Sequence, residues 1–137
     1  MSSTILVAVT DIFFYTKVRD ALRPQGYTLE RIRNQDEVAE KTTSTDPAAL
    51  ILNMNDLAVD AFKALETIQG NPALRSLPIL AFANHEEVDT WRRAKELGVT
   101  KVVSRNEFSA RTRELVEEII ANSCQQSTVS SELNAEG

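Results

Sequence analysis

The chain has 137 residues, of which 42% are apolar and 26% charged, with a formal net charge of −5. That length suits one domain with an ordinary globular core. The acidic balance argues against direct nucleic-acid binding, because the basic residues are scattered, in groups no longer than Arg31/Arg33 and Arg92/Arg93, where phosphate contacts need a cluster.

Short apolar runs alternate with segments of helical period. Ile5–Val9 is continuous and β-branched-rich, as in a strand buried on both faces. Phe14, Val18, Ala21 and Leu22 then share one helical face, which Pro24 and Gly26 close. Tyr27–Ile32 alternates and reads as a weaker edge strand, and Asp36–Thr43 as a short, poorly amphipathic helix. Ala48–Asn53 is a second buried strand. It is followed by a stripe of Ala58, Ala61, Phe62, Leu65 and Ile68 that ends at Gly70, Asn71 and Pro72.

Pro78–Ala83 is a third buried strand. Asn84 with Glu87 three residues on has the pattern of a capping box, which predicts a helix that buries Val88, Trp91 and Ala94 and ends at Gly98. Thr100–Val103 is a last strand, and Phe108, Leu115, Val116, Ile119 and Ile120 mark a final helix. The expected division is a domain over residues 1–121 and a disordered polar tail over 122–137.

Five strands alternating with five helices predict an α/β fold: a doubly wound, five-stranded parallel sheet. Right-handed crossovers favour the flavodoxin-like order 2-1-3-4-5. Sites on such sheets lie beyond the carboxyl ends of the strands, here around Val9, Thr10 and Asp11, then Asn53, then Ala83 and Asn84.

The apolar runs are too short to cross a bilayer, and no leader pattern opens the chain, so a cytoplasmic location without membrane contact is expected. With Cys124 as the one cysteine and His85 as the one histidine, no internal disulfide can form and a metal centre is disfavoured. Thr10 to Phe14 contains no glycine, which speaks against a dinucleotide or flavin phosphate loop. No cofactor is expected.

Several short pieces in one order carry a resemblance: Ile5-Leu6-Val7, Gly26-Tyr27, Ala49-Leu50-Ile51-Leu52 before position 53, Asp60, Leu77-Pro78-Ile79-Leu80, Ala94, and Gly98-Val99. Over about residues 4–121 the chain resembles the receiver (CheY-like) domains of bacterial two-component response regulators. The resemblance implies a phosphorelay component whose pocket has lost its chemistry. The acidic pair that binds Mg²⁺ in receivers matches Val9 and Thr10, and the phosphoacceptor aspartate matches Asn53. The hydroxyl residue after the fourth strand matches Ala83, the aromatic switch Val102, the lysine Arg105 and its following proline Asn106. A carboxamide cannot act as the carboxylate nucleophile, and Mg²⁺ is usually held by carboxylate oxygens.

Asp11 would rejoin the acidic pair if the register slipped by one residue, and Asp56 is a candidate substitute acceptor. The plainer reading of both is a loop carboxylate. The expected function is non-enzymatic: a pseudo-receiver that binds a protein partner (a kinase, a regulator or a like subunit, with homodimerisation open). The alternatives are an atypical phosphoacceptor using Asp11 and Asp56, or a small-molecule binder with its ligand between Asn53 and Arg105. The resemblance also points to an interaction face carrying Trp91, Arg92, Lys101, Arg111 and Glu114. Trp91 could instead simply pack its helix onto the sheet.

Overall fold

The computed structural model describes residues 4–129 except 57, 58, 75 and 85, and for 122–129 the backbone alone. In chain order the elements are β1 (Thr4–Ala8), α1 (Ile12–Leu22), β2 (Thr28–Arg31), α2 (Asp36–Ser44), β3 (Ala49–Asn53), α3 (Ala61–Gln69), β4 (Ile79–Ala83), α4 (Val88–Glu96), β5 (Lys101–Ser104) and α5 (Arg105–Val129). All strand pairs are parallel, in the order β2-β1-β3-β4-β5, which is the predicted doubly wound topology.

The sheet divides the core in two, because successive side chains of a strand point to opposite faces. Ile5, Val7 and Val9 face one layer, where Val18 and Leu22 of α1 meet Phe108, Leu115, Val116 and Ile119 of α5. Leu6 and Ala8 face the other, with Val38 of α2, Ala64, Leu65 and Ile68 of α3, and Ala94 of α4. Every residue of β3 and β4 is buried, as their unbroken apolar runs predict, whereas β2 at the edge is only partly covered.

On the α1/α5 side, Phe82 of β4 lies 4.5 Å from Phe108 and 4.8 Å from Phe14, centroid to centroid. Offset aromatic pairs of this kind contribute about 0.5–1.5 kcal/mol each beyond the area they bury.

Three expectations change. Asn84 is not the N-cap of α4. That position is Glu87, whose side chain caps no helical N–H. Val88, expected inside, is 67% exposed, because the helix starts later than the capping pattern implied and its first residue points outward. Lastly, the helical backbone of α5 continues past Ala121 to Val129, into the stretch expected to be disordered. Extending an existing helix avoids the cost of nucleation, so polar residues can follow it. Residues 130–137 of that stretch, together with Ala58 and His85, lie outside the described residues.

Candidate functional site

The carboxyl ends of β1 and β3 and the first residue of α5 border a cleft of about 410 Å³. It is lined by Thr10, Asp11, Asn53, Asn55, Asp56 and Arg105. The sheet sets this arrangement: the β1/β3 register pairs Ala8 with Leu52, so Val9, the first residue after β1, falls level with Asn53, the last residue of β3.

Asn53 ends β3 and is 5% exposed. Its carboxamide oxygen accepts the backbone N–H of Asn55 at 2.9 Å, and its carbonyl accepts that of Asp56 at 3.2 Å. The side chain therefore shapes the turn out of the strand. Val9 is fully buried in the α1/α5 core and presents no donor atom from its side chain to the cleft.

Thr10 turns its polar groups toward Asp56. Its backbone N–H donates to Asp56 Oδ1 at 2.8 Å, and its hydroxyl lies 2.9 and 3.0 Å from the two carboxylate oxygens. The N–H of Val59 donates to Asp56 Oδ2 at 3.0 Å. Asp56 is thus a clasp that ties the end of β1 to the approach of α3. Asp11 is likewise committed: it is the N-cap of α1 and accepts from the N–H groups of Phe13 at 2.9 Å and Phe14 at 3.3 Å. Both residual acids border the cleft, but each serves backbone donors.

Ala83 and Val102 are buried, and neither side chain carries a polar group. Arg105 lies across the aromatic cluster, its guanidinium carbon 5.0 Å from the Phe14 centroid and 5.5 Å from that of Phe82. Cation–π contacts of this kind orient a guanidinium without a carboxylate partner.

The residues present do not fit Mg²⁺. That ion needs near-octahedral oxygen ligands and is commonly held through one or two carboxylates. Val9, expected at the first position of the acidic pair, is a buried valine; Thr10, expected at the second, offers a hydroxyl already bonded to Asp56; and Asn53, the expected acceptor, is an amide. Among the described residues, no three His, Cys, Asp or Glu side chains are grouped to hold a metal ion.

The sequence reading missed Arg31. Its guanidinium donates to the carbonyls of Thr10 at 2.7 Å and Val9 at 3.4 Å, and lies 5.3 Å from the Tyr15 ring centroid. It places positive charge on the carbonyl end of β1. Its position two residues after Leu29 in an edge strand is the one sequence signal for that reach. Also missed were Asn55 and the exposed apolar side chains of Ile12 and Phe13 at the start of α1.

The residues expected to form an interaction face lie on α4 (Trp91, Arg92), β5 (Lys101) and α5 (Arg111, Glu114), with Arg111 bordering a hollow shared with Lys17 and Asp20 of α1. Trp91 is half-buried against the core layer of α2, α3 and α4, and its indole N–H donates to the Asn84 carbonyl at 3.0 Å. The charged residues of the expected face are paired within the chain. Arg92 pairs with Asp89 at 2.7 Å, Lys101 with Glu118 at 2.6 Å, and Arg111 with Glu107 at 2.9 Å and Glu114 at 3.2 Å. The hydrogen bond from Lys101 holds the Glu118 carboxyl below its ordinary pKa, and the one that Arg111 donates to Glu114 raises the guanidinium above its own.

No family model and no curated protein matches the chain in sequence. Solved structures do resemble it. The receiver domain of a sensor histidine kinase from Pseudomonas aeruginosa, with a magnesium ion coordinated in its active-site cleft, aligns with a TM-score of 0.76 at 15% identity, over 88% of this chain and 99% of that one. The signal receiver domain of a signal transduction histidine kinase from Syntrophus aciditrophicus gives 0.76 at 18%, over 87% and 90%. The protein NtrX from Brucella abortus gives 0.81 at 18%, over 96% of this chain and 29% of that one. At these identities the likeness establishes the fold, which is that of receiver domains.

Proposed function

We propose that this chain is a receiver-like module of two-component signalling that acts by binding a protein partner and takes no phosphoryl group itself. The observation that carries this reading is how Asn53 and Asp56 are engaged at the expected acceptor site. Asn53 holds its own turn, and Asp56, the nearest substitute in sequence, is closed over Thr10 and Val59. A nucleophile must reach its substrate with a free lone pair. The carboxamide lacks the needed nucleophilicity, and the Asp56 carboxylate accepts bonds on both oxygens.

The surface around Trp91 is where recognition is assigned. A half-buried aromatic on the same helix as the Arg92–Asp89 ion pair suits a specific contact of moderate affinity with a kinase, a regulator or a second copy. An atypical acceptor built from Asp11 and Asp56 is the second reading, favoured only by the position of both carboxylates on the cleft.

The test is to purify the endogenous protein with its bound partner and measure their affinity with and without a small phosphodonor and Mg²⁺. Equal affinities, with binding lost in the Trp91→Ala protein, support the proposal. An affinity that changes tenfold or more only when the phosphodonor is present would overturn it.

A further inference from the structure

Glu87 is an unusual N-cap. Helices favour Ser, Thr, Asp or Asn there because a short side chain can reach back to the first N–H groups. The Glu87 side chain makes no such bond. Its two oxygens are instead placed across two loops: Oε1 accepts the Asn55 amide at 2.9 Å and Oε2 the Asn84 amide at 3.4 Å.

Asn55 and Asn84 also meet directly, the Asn84 N–H donating to Asn55 Oδ1 at 3.3 Å. At one end of this bridge the Asn55 N–H is bonded to Asn53, inside the cleft. At the other, the Asn84 carbonyl accepts both the Glu87 N–H at 3.1 Å and the Trp91 indole N–H at 3.0 Å. A continuous polar path therefore runs from the end of β3, through a carboxylate, to the aromatic side chain on α4.

We propose that Glu87 is a positioning residue that couples the cleft to the surface around Trp91. The carboxylate cross-links the loop after β3 to the loop after β4. Because Trp91 hangs from the second of these loops, its placement depends on how the first is held. Hydrogen bonds to a carboxylate are about twice as strong as neutral ones, so this member carries most of the link. The coupling is reciprocal: a molecule seated on Trp91 changes the order of the cleft loop as much as a change at Asn53 moves Trp91. It works without the hydroxyl–aromatic pair, for which Ala83 and Val102 carry no suitable groups. It also stands whether or not the cleft takes a phosphoryl group.

Trp91 is the single tryptophan, so its emission and its quenching by acrylamide report on this surface alone. Asn55→Ala, Asn55→Asp and Glu87→Ala are compared with the parent protein, with circular dichroism confirming the fold of each. Asn55→Asp sets a second carboxylate against Glu87 while keeping the side-chain shape. All three are expected to raise the Trp91 quenching constant about two-fold, the change that a weak coupling within a side-chain network produces in an equilibrium. Glu87→Gln keeps one acceptor and should fall between. Asp89→Ala, which removes an exposed ion pair on the same helix, should leave quenching unchanged. Asn55 does not touch Trp91 in any bond above, so folded Asn55 variants with parental quenching would overturn the coupling. So would a Glu87→Gln protein indistinguishable from the parent, which tests the carboxylate even if the Asn55 variants do not fold.

Discussion

Restoring the acceptor carboxylate by Asn53→Asp should weaken the protein without reviving the pocket. The two side chains have nearly the same shape, so packing is unchanged and the effect is electrostatic. The bond from the Asn55 N–H survives, because a carboxylate oxygen accepts it as well as the carboxamide did. The new charge, however, sits at a position only 5% exposed, in a cleft lined by Asp11 and Asp56 and, of the basic residues, by Arg105, with Arg31 behind the Thr10 carbonyl.

Burial and like charges both raise a carboxyl pKa, and a rise of about two units corresponds to about 2.7 kcal/mol at neutral pH. The sign follows from linkage. A carboxyl whose folded pKa lies above its unfolded value of about 3.9 is destabilising above the folded pKa, and that penalty fades as pH falls toward the unfolded value. Urea unfolding read through Trp91 should therefore find the variant about 2–3 kcal/mol less stable at pH 7, with most of the gap closed near about pH 4. Millimolar Mg²⁺ should leave its midpoint in place, because Val9 and the occupied Thr10 hydroxyl supply no carboxylate to share the ion. Parental stability at pH 7, or a marked stabilisation by Mg²⁺, would refute the reasoning.

Three further outcomes follow from the contacts. Asp56→Ala leaves the Thr10 and Val59 N–H groups without their acceptor and should cost about 2–4 kcal/mol by denaturant unfolding, from one or two unsatisfied half-buried donors. Trp91→Ala should cost at least about 2 kcal/mol of partner binding by calorimetry, the hot-spot threshold, and should also lower monomer stability, because the ring packs on the core. Removing residues 122–137 should change the unfolding free energy by less than about 0.5 kcal/mol, the range for changes remote from packing.

The sheet was legible because its physics is local. β1, β3 and β4 are unbroken apolar runs, and only strands covered on both faces can hold such runs, so their positions and the parallel order follow from spacing. The positions of Val9, Thr10 and Asn53 were legible for the same reason, since residues at strand ends inherit their place from the sheet, whereas Arg105 was named only through the resemblance to receivers. What those residues touch was not. The Thr10–Asp56 clasp joins residues 46 apart in sequence, and Arg31 reaches the Thr10 carbonyl from 21 residues away. Nothing in their neighbours signals either contact.

The start of α4 misled for a related reason. Asn84 and Glu87 have the spacing of a capping box, but Glu87 is drawn across to Asn55, 32 residues away, and the helix begins only after it. Glu87 was thus noticed for a local role and plays a long-range one. Asp11 and Asp56 were read as loop carboxylates, and each accepts backbone N–H groups that the sequence did not assign to it.

The most direct test of the central claim is intact-mass measurement of the full chain after incubation with a small phosphodonor and Mg²⁺. The account predicts the unmodified mass alone, because Asn53 supplies no carboxylate and Asp11 and Asp56 are held by hydrogen bonds. A stoichiometric phosphate adduct, lost on mild base treatment as an acyl phosphate would be, would contradict it.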